Sequence, residues 1–205
     1  MLIHPAYFGS IIHFIGIVNA NNLTFEINDN YQKQTYRNRC FIYGPNGKQL
    51  LTVPIIHSKS KKRKKTKEIR LDNSANWQKL HNRALHTAYS SSPFFEFYID
   101  DLLNIFHKKY DFLIDLNFDT IRALFHCMEL NKKMETTESY ALDPKSIDLR
   151  YLINSKNTKP YNLKYYRQVF QDKHAFISNL SILDLLFNEG PNTLQYLEDN
   201  KNLLF

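Results

Sequence analysis

Glycine and proline are scarce in this chain, which has five glycines and seven prolines among its 205 residues. Linker-rich and disordered proteins contain far more of both, so these classes are excluded. The 43% hydrophobic and 14% aromatic content is enough for one substantial core. We therefore expect a single domain that spans residues 1–205.

Cysteine is also rare, and the two present, Cys40 and Cys127, both lie within apolar runs. No secretory leader opens the sequence, which favours a cytoplasmic protein with two free, buried thiols over a disulfide framework or a cysteine nucleophile. No hydrophobic stretch approaches the roughly 20 residues that a membrane-spanning helix needs. The sequence predicts a soluble protein.

Several common catalytic motifs are missing: HExxH, the P-loop, paired CxxC and the nucleophile elbow. Each of these places a metal ligand, a phosphate cradle or an activated nucleophile at a fixed spacing. We therefore expect no metal site, no cofactor and no serine or cysteine hydrolase.

The formal net charge of +7 comes from one segment. Seven of the 27 basic residues lie between Lys59 and Lys67, while the rest of the chain is almost neutral. A run of like charges is usually a solvated, flexible loop, here residues 57–68. Such a run also attracts anionic partners such as nucleic acid or anionic lipid. Aromatic residues do not alternate with these lysines, which argues against specific nucleic-acid recognition.

The first thirty residues have the pattern of a βαβ unit. Leu2 to His4 and Leu23 to Ile27 are typical of strands, and the apolar residues from Ile11 to Val18 predict a helix between them. Such units are right-handed and parallel, and ligands bind at the carboxyl ends of their strands. These ends carry His4 to Tyr7 and Asn28 to Asn30.

A β-hairpin is predicted next, because two apolar segments flank the turn residues Gly44 to Gly47. Planar and basic side chains are concentrated before and at its first strand: Tyr31, Lys33, Gln34, Tyr36, Arg37, Asn38 and Arg39. In an extended segment Arg37 and Arg39 share one face and can bind phosphate or carboxylate through bidentate hydrogen bonds. The alternative is a sheet surface whose arginines pair with acidic neighbours.

Helices dominate the second half of the prediction. Apolar residues at helical spacing predict helices over 77–88 and 93–106, a third from Asn117, and a last one that Ser181 caps and Gly190-Pro191 ends. Residues 147–153 alternate as a strand would. The expected fold class is α/β: a βαβ unit and a hairpin in a mixed sheet, packed by several helices.

Two histidines are candidates for proton transfer, His4 after the first strand and His174 before the last helix. The alternative for His4 is a structural histidine that hydrogen-bonds the backbone at a strand end. Tyr7 and His81, at the turn after the first strand and at the apolar edge of the first long helix, complete the predicted ligand-binding set.

Three strings of this sequence resemble the WbqC-like protein family in the form found in Bacteroidetes-type bacteria. They are YQKQTYRNRCFI with LTVPI, DNSANWQKLHNRALHTAYSSSPFFEFY, and YRQVFQDKHAFISNLSILDLLFNEGPNTL. The resemblance covers nearly the whole chain in order. It implies an association with bacterial surface-polysaccharide and O-antigen synthesis.

A nucleotide-activated sugar, or another phosphate-bearing small molecule, is the ligand that this resemblance implies. The corresponding reaction is acyl or aminoacyl transfer onto a nucleotide-activated amino sugar. Two alternatives remain: a non-catalytic binding or scaffold protein of the polysaccharide machinery, and a weak nucleic-acid binder that uses Lys59 to Lys67.

Overall fold

The computed structural model describes residues 1–57, 63–156 and 160–205. Its strands are β1 (Leu2–Ile3), β2 (Leu23–Phe25), β3 (Arg39–Gly44), β4 (Gly47–Thr52) and β5 (Met134–Thr136). Its helices are α1 (Ile11–Asn19), α2 (Trp77–Tyr89), α3 (Phe95–His107), α4 (Leu113–Cys127), α5 (Gln171–His174), α6 (Ile182–Glu189) and α7 (Thr193–Asp199). Short 3-10 helices cover Thr66–Glu68, Arg150–Ile153, Gly190–Asn192 and Lys201–Leu203. The predicted α/β class is confirmed.

The predicted βαβ unit is present, with α1 joining two parallel strands. Leu2 pairs with Thr24 and Ile3 with Phe25, while β5 adds a third parallel strand beside β2. Eight of the nine residues of α1 are buried, which is expected of a helix enclosed between a sheet and other helices. The strand β5 was not predicted, because a three-residue strand with two exposed side chains has no alternating apolar pattern.

The predicted hairpin is confirmed, with Pro45 and Asn46 between paired Gly44 and Gly47. Gly47 has a φ of +93°, a conformation that suits glycine at a tight turn. The hairpin forms a two-stranded sheet of its own and does not join the parallel strands. In the parallel sheet β1 also bridges to Asp148, and β2 pairs with β5.

The three long helices contribute most of the remaining core. They match the predicted helices, and the main difference is that α4 begins at Leu113, before the predicted start at Asn117. His81, predicted at the apolar edge of α2, is buried, and its neighbour Leu80 is exposed. Asn117 is fully buried inside α4, and a boundary error of four residues is common when the cap is not polar.

The predicted strand over 147–153 is wrong. Leu2 donates to the Ile147 carbonyl oxygen and Leu149 donates to Leu2, but the pairing stops there. The Asp148 carboxylate then accepts the backbone N–H of Arg150 at 3.0 Å and begins the 3-10 helix Arg150–Ile153. An aspartate that bonds two residues ahead favours a turn over a strand.

The carboxylate of Asp184 joins α6 to α2 and to the segment before α5. It accepts hydrogen bonds from Tyr89 Oη at 2.8 Å, from Tyr166 Oη at 2.5 Å and from Gln168 Nε2 at 2.8 Å. Tyr89 Oη in turn accepts the Tyr43 backbone N–H at 3.0 Å, which connects the hairpin. Burial raises the pKa of Asp184 to about 6, although the three donors oppose the shift.

Replacing Asp184 with asparagine should lower the free energy of unfolding by about 1–3 kcal/mol, because the new amide group would face donors that need an acceptor. Urea unfolding monitored by circular dichroism measures the change. Asp172→Asn, at an exposed position in α5, is the matched control. Equal stability of the two variants would show that the Asp184 network does not hold these elements together.

Candidate functional site

A polar hollow of about 740 Å³ opens at the carboxyl ends of β1 and β2. His4 follows β1 directly, and Asp29 and Tyr31 follow β2. Its other charged and aromatic lining residues are Lys33, Arg37, Arg63, Arg150, Tyr140 and Tyr151. The ends of adjacent parallel strands are where an α/β sheet most often binds ligands, and this is the edge the sequence predicted.

Arg37 is the most deeply enclosed cation of the hollow, with none of its surface exposed. Nη2 donates to Asp29 Oδ2 at 2.5 Å and Nη1 donates to Thr35 Oγ1 at 3.2 Å. Nε is buried and has no hydrogen-bond partner within the described parts of the chain. Burial lowers the pKa of Arg37, and the Asp29 carboxylate opposes that shift. Arginine nevertheless keeps its charge in proteins, so the Nε–H of a buried cation is left without an acceptor.

Asp29 connects Arg37 to two other elements. Its Oδ1 accepts a hydrogen bond from Thr66 Oγ1 at 2.6 Å, and its Oδ2 lies 3.7 Å from His4 Nε2. Burial raises the pKa of Asp29, whereas Arg37 and Thr66 lower it. With a guanidinium at 2.5 Å, the carboxylate form is the one that this geometry favours.

His4 is held in one tautomer by its backbone contact. Nδ1 lies 3.1 Å from the Glu26 carbonyl oxygen, which only accepts, so Nδ1 carries the hydrogen and Nε2 keeps a lone pair. Burial, reinforced by the positive charge of Arg37, lowers the pKa of His4 to about 2. His4 is therefore neutral, with an acceptor nitrogen beside Asp29 at the wall of the hollow.

Arg150, Tyr140 and Tyr151 line the hollow although none of them was a predicted site residue. The Arg150 Nε and Nη2 atoms donate to the Asp148 carboxylate, and Nη1 donates to the Ala141 carbonyl oxygen at 2.6 Å. Its guanidinium carbon lies 5.1 Å from the centre of the Tyr140 ring. These contacts fix Arg150 in the wall of the hollow. The only sequence signal for this arrangement was an aspartate, Asp148, two residues before the arginine.

The hairpin arginines do not share a face, so that prediction is wrong. Arg37 lies in a turn closed by the Asn38 N–H and the Thr35 carbonyl oxygen, whereas Arg39 begins β3 opposite Thr52. Arg39 does not line the hollow. The spacing argument failed because it assumed an extended chain at Arg37.

Among the other predicted ligand-binding residues of this stretch, Lys33 lines the hollow and three do not. Tyr36 packs with Ala6 and Ile153, and Asn38 donates to the Val53 carbonyl oxygen at 2.9 Å. Gln34 is exposed with a φ of +59°. The structure therefore uses Tyr36 and Asn38 to build the turn that carries Arg37.

Tyr7, His81 and His174 also lie outside the hollow. Tyr7 Oη and His81 Nδ1 are 2.9 Å apart in the core, and burial lowers the pKa of His81 to about 4. His174 is exposed, and its Nε2 donates to the Pro45 carbonyl oxygen at 2.8 Å at the hairpin turn. Of the two predicted proton-transfer histidines, only His4 lines this hollow.

The basic segment is attached beside the hollow where the structure describes it. Residues 58–62 of the predicted loop lie outside the described residues. The backbone N–H of Tyr31 donates to the Lys64 carbonyl oxygen at 2.9 Å, and Lys65 forms an isolated antiparallel β-bridge with Asn30. Arg63 thereby becomes a lining residue.

A second hollow, of about 980 Å³, lies where α3, the end of α4 and the Gly190 turn meet. It is lined by Phe97, Met128 and Leu194, among others, and by none of the predicted ligand-binding or proton-transfer residues. Asp101, Arg122, His126 and Glu129 are also present, but no buried cation faces it. The smaller hollow is therefore the candidate functional site.

The residues that line both hollows lie within the part of the chain that a protein-family model matches. The sequence model of the WbqC-like protein family matches residues 4–157 and, in an overlapping segment, 146–196. The chain belongs to the WbqC-like protein family. This confirms the resemblance, and the matched range includes every residue that lines the polar hollow.

A curated relative is "Uncharacterized protein Rv1507c" of Mycobacterium tuberculosis (strain ATCC 25618 / H37Rv), which is 27% identical over 194 residues. The alignment covers 82% of this WbqC-like chain and 83% of the relative. No solved structure matches the chain.

Metal ligands, thiols and membrane-spanning helices are the remaining features of this WbqC-like protein that bear on function. The described residues contain no group of three or more His, Cys, Asp or Glu side chains placed to hold a metal ion. Cys40 and Cys127 are free and buried, and burial raises the pKa of both thiols, that of Cys127 to about 12. No helix of the described residues has the length and hydrophobicity needed to cross a bilayer.

The buried histidines should make stability depend on pH. The pKa of His81 falls from 6.5 to about 4 on folding, so between these values the unfolded state binds a proton that the native state does not. Acidification through this range therefore lowers the free energy of unfolding, and His81 accounts for about 1.4 kcal/mol of this loss per pH unit. His81→Gln should reduce the slope of unfolding free energy against pH by this amount between pH 6 and about 4.5.

Urea unfolding at several pH values measures the slope. The exposed His57→Gln variant is the control and should keep the slope of the parent. An unchanged slope in His81→Gln would mean that His81 does not stay neutral in the folded protein.

Proposed function

We propose that the polar hollow binds a nucleotide-activated sugar through its phosphates. We further propose that the protein transfers an acyl or aminoacyl group to the amino group of that sugar. The setting is bacterial surface-polysaccharide or O-antigen synthesis. The convergence of four basic side chains on one hollow beside His4 carries this proposal.

The charges of the hollow favour an anionic ligand. Two of its cations are compensated, Arg37 by Asp29 at 2.5 Å and Arg150 by Asp148 at 2.7 Å. Lys33 and Arg63 have no ion-pair partner within 4.0 Å among the described residues. Two uncompensated cations, together with the unpartnered Arg37 Nε–H, suit the oxygens of a diphosphate.

The tyrosines supply apolar surface for a base or a sugar ring. Tyr31 is partly buried, whereas Tyr140 and Tyr151 are about half exposed at the rim. Planar rings that line a charged hollow stack on nucleobases and sugar faces while the cations hold the phosphates. The volume of about 740 Å³ is within the range of small-molecule sites.

His4 is the residue that we assign to proton transfer. In the proposed step the sugar amine attacks the carbonyl carbon of the acyl donor, a C–N bond forms, and the bond to the donor's leaving group breaks. The amine proton passes to His4 Nε2 and then to the leaving group. Burial lowers the pKa of His4 most, and the positive charge of Arg37 lowers it further; a phosphate bound near Arg37 offsets this second contribution, so ligand binding makes Nε2 a stronger base.

A non-catalytic binding or scaffold protein is the second candidate, and one observation favours it. The His4 ring already holds the strand end by donating to Glu26, and its pKa of about 2 is typical of a histidine with a structural role. This candidate shares the anion-binding hollow with the first and differs only in having no reaction.

UDP- and dTDP-sugars should raise the melting temperature of the protein, because a ligand that binds only the native state stabilises it. Lys33→Ala and Arg63→Ala should each weaken binding at least tenfold, since a hydrogen bond to a charged group contributes about 1.5–3 kcal/mol. Thermal shift and calorimetric titration measure both effects.

Both substitutions are at exposed side chains, so the fold should survive. Lys79→Ala and Arg83→Ala, on the exposed side of α2, are the matched controls. The binding proposal is wrong if a broad panel of sugar nucleotides gives no shift, or if the controls weaken binding as much as the hollow variants.

His4→Asn should separate binding from transfer. The asparagine amide can still donate to the Glu26 carbonyl oxygen, so sugar-nucleotide affinity should change by less than about threefold, but the Nε2 acceptor is lost. Acyl transfer from thioester or aminoacyl-ester donors to UDP-amino sugars should fall at least a hundredfold. Product formation is followed by mass spectrometry. Transfer at the parental rate would remove His4 from the reaction, and binding without transfer in the parent would support the scaffold protein.

A further inference from the structure

The segment from Tyr140 to Tyr151 leaves four large apolar or aromatic side chains exposed beside the polar hollow. Tyr140 and Tyr151 line the hollow, and Leu142 and Ile147 lie between them in the chain. Their relative exposures are 47%, 51%, 87% and 54% respectively. Single exposed apolar residues are common on soluble proteins, but a concentration of them in one short segment marks an interaction surface.

This segment is anchored at both ends, so its exposed side chains belong to a fixed face. The Ala141 N–H donates to Glu26 Oε2 at 3.2 Å, and the Ala141 carbonyl oxygen accepts from Arg150 at 2.6 Å. Leu2 donates to the Ile147 carbonyl oxygen at 2.8 Å. One backbone contact to β1 and two contacts of the Ala141 backbone with the side chains of Glu26 and Arg150 therefore tie this segment to β1 and to a residue that lines the hollow.

The second side of this region is basic and begins at the lining of the hollow. Arg63 lines the hollow, and Lys64 and Lys65 continue from it with their backbone fixed to Tyr31 and Asn30. Thr66 is buried, and its hydroxyl donates to Asp29 at 2.6 Å. Lys33 adds a further exposed cation.

We propose that these two sides form a peripheral membrane-binding surface for an anionic bilayer, with the hollow opening toward the lipid headgroups. Here the surface consists of Lys33, Arg63, Lys64 and Lys65 on the basic side and Tyr140, Leu142, Ile147 and Tyr151 on the apolar side. Basic side chains are attracted to anionic lipid, and exposed leucine, isoleucine and tyrosine insert at the interface. The proposal does not depend on which ligand the hollow binds.

Charge and apolar character together select a bilayer over a polynucleotide. A nucleic-acid strand would use the cations and the tyrosines, but it offers no apolar phase for Leu142 and Ile147. A bilayer interface accommodates all of these side chains at once. One kind of contact alone gives marginal membrane binding, whereas a basic patch with an apolar insertion gives stable attachment.

Sedimentation with vesicles tests this surface in the full-length protein. Vesicles of phosphatidylcholine with about one-third phosphatidylglycerol should bind the protein, and vesicles of phosphatidylcholine alone should bind it at least tenfold more weakly. Lys64→Gln with Lys65→Gln should reduce binding about fivefold for each lysine lost. Leu142→Gln should reduce it at least fivefold, and raised salt should weaken the parent.

Matched controls are Lys79→Gln with Lys173→Gln, and Leu80→Gln, all at exposed positions. These controls should bind as the parent does, and melting curves confirm that every variant folds. Leu142→Gln should also keep the thermal shift by sugar nucleotides, so a failed membrane surface and a failed ligand site give different results.

Three outcomes would overturn the proposal. One is no binding to the anionic vesicles, and another is equal loss in the control variants. The third is tight binding of a single-stranded RNA oligonucleotide that the lysine variants lose and Leu142→Gln keeps, which would assign the basic side to nucleic acid.

Discussion

The buried ion pair between Asp29 and Arg37 is the constraint on which the candidate site depends. Both side chains are removed from water, and their charges lie 2.5 Å apart. Burial of two charges costs several kcal/mol per ion, so such a pair persists only when further hydrogen bonds satisfy it. Thr35 and Thr66 provide these bonds here. Losing either partner would leave an uncompensated buried charge, which typically costs 3–5 kcal/mol.

The same pair connects the parts of the chain that build the site. Asp29 follows β2, Arg37 lies in the turn before β3, and Thr66 belongs to the basic segment. His4 lies beside them with its lone pair on Nε2, and the charge of Arg37 helps to keep it neutral. The pair thus places three features at one edge of the parallel strands: the acceptor nitrogen of His4, the unpartnered Nε–H of Arg37 and the basic segment. A hairpin alone could not bring them together.

Local patterns predicted the elements that have strong local signals. The parallel βαβ unit, the hairpin and the long helices all follow from apolar spacing and turn residues within a few positions of one another. The strand β5 and the 3-10 helix at Arg150 could not be predicted in this way. The strand is defined by its partner β2, and the 3-10 helix is defined by one aspartate contact. The separation of the hairpin from the parallel strands likewise has no local sequence signal.

For the site, the sequence indicated the correct strand ends and the correct kind of chemistry but only part of the residue set. The predicted site residues His4, Lys33 and Arg37 do line the hollow. The predicted site residues Arg39, Tyr7 and His81 do not. Arg63, Tyr140 and Arg150 enter from segments distant in the chain, and only the tertiary fold brings them together. Residue spacing within 1–39 was therefore enough to predict part of the site. The residues that complete the wall of the hollow could not be predicted from spacing.

The central claim is that the polar hollow holds the phosphates of its ligand, and a crystal structure with a bound UDP-sugar tests it most directly. The account predicts phosphate oxygens at hydrogen-bond distance, about 3 Å, from Arg63, Lys33 and the Nε–H of Arg37. Density for the ligand at the hollow lined by Phe97, or phosphates that contact none of these three side chains, would contradict it.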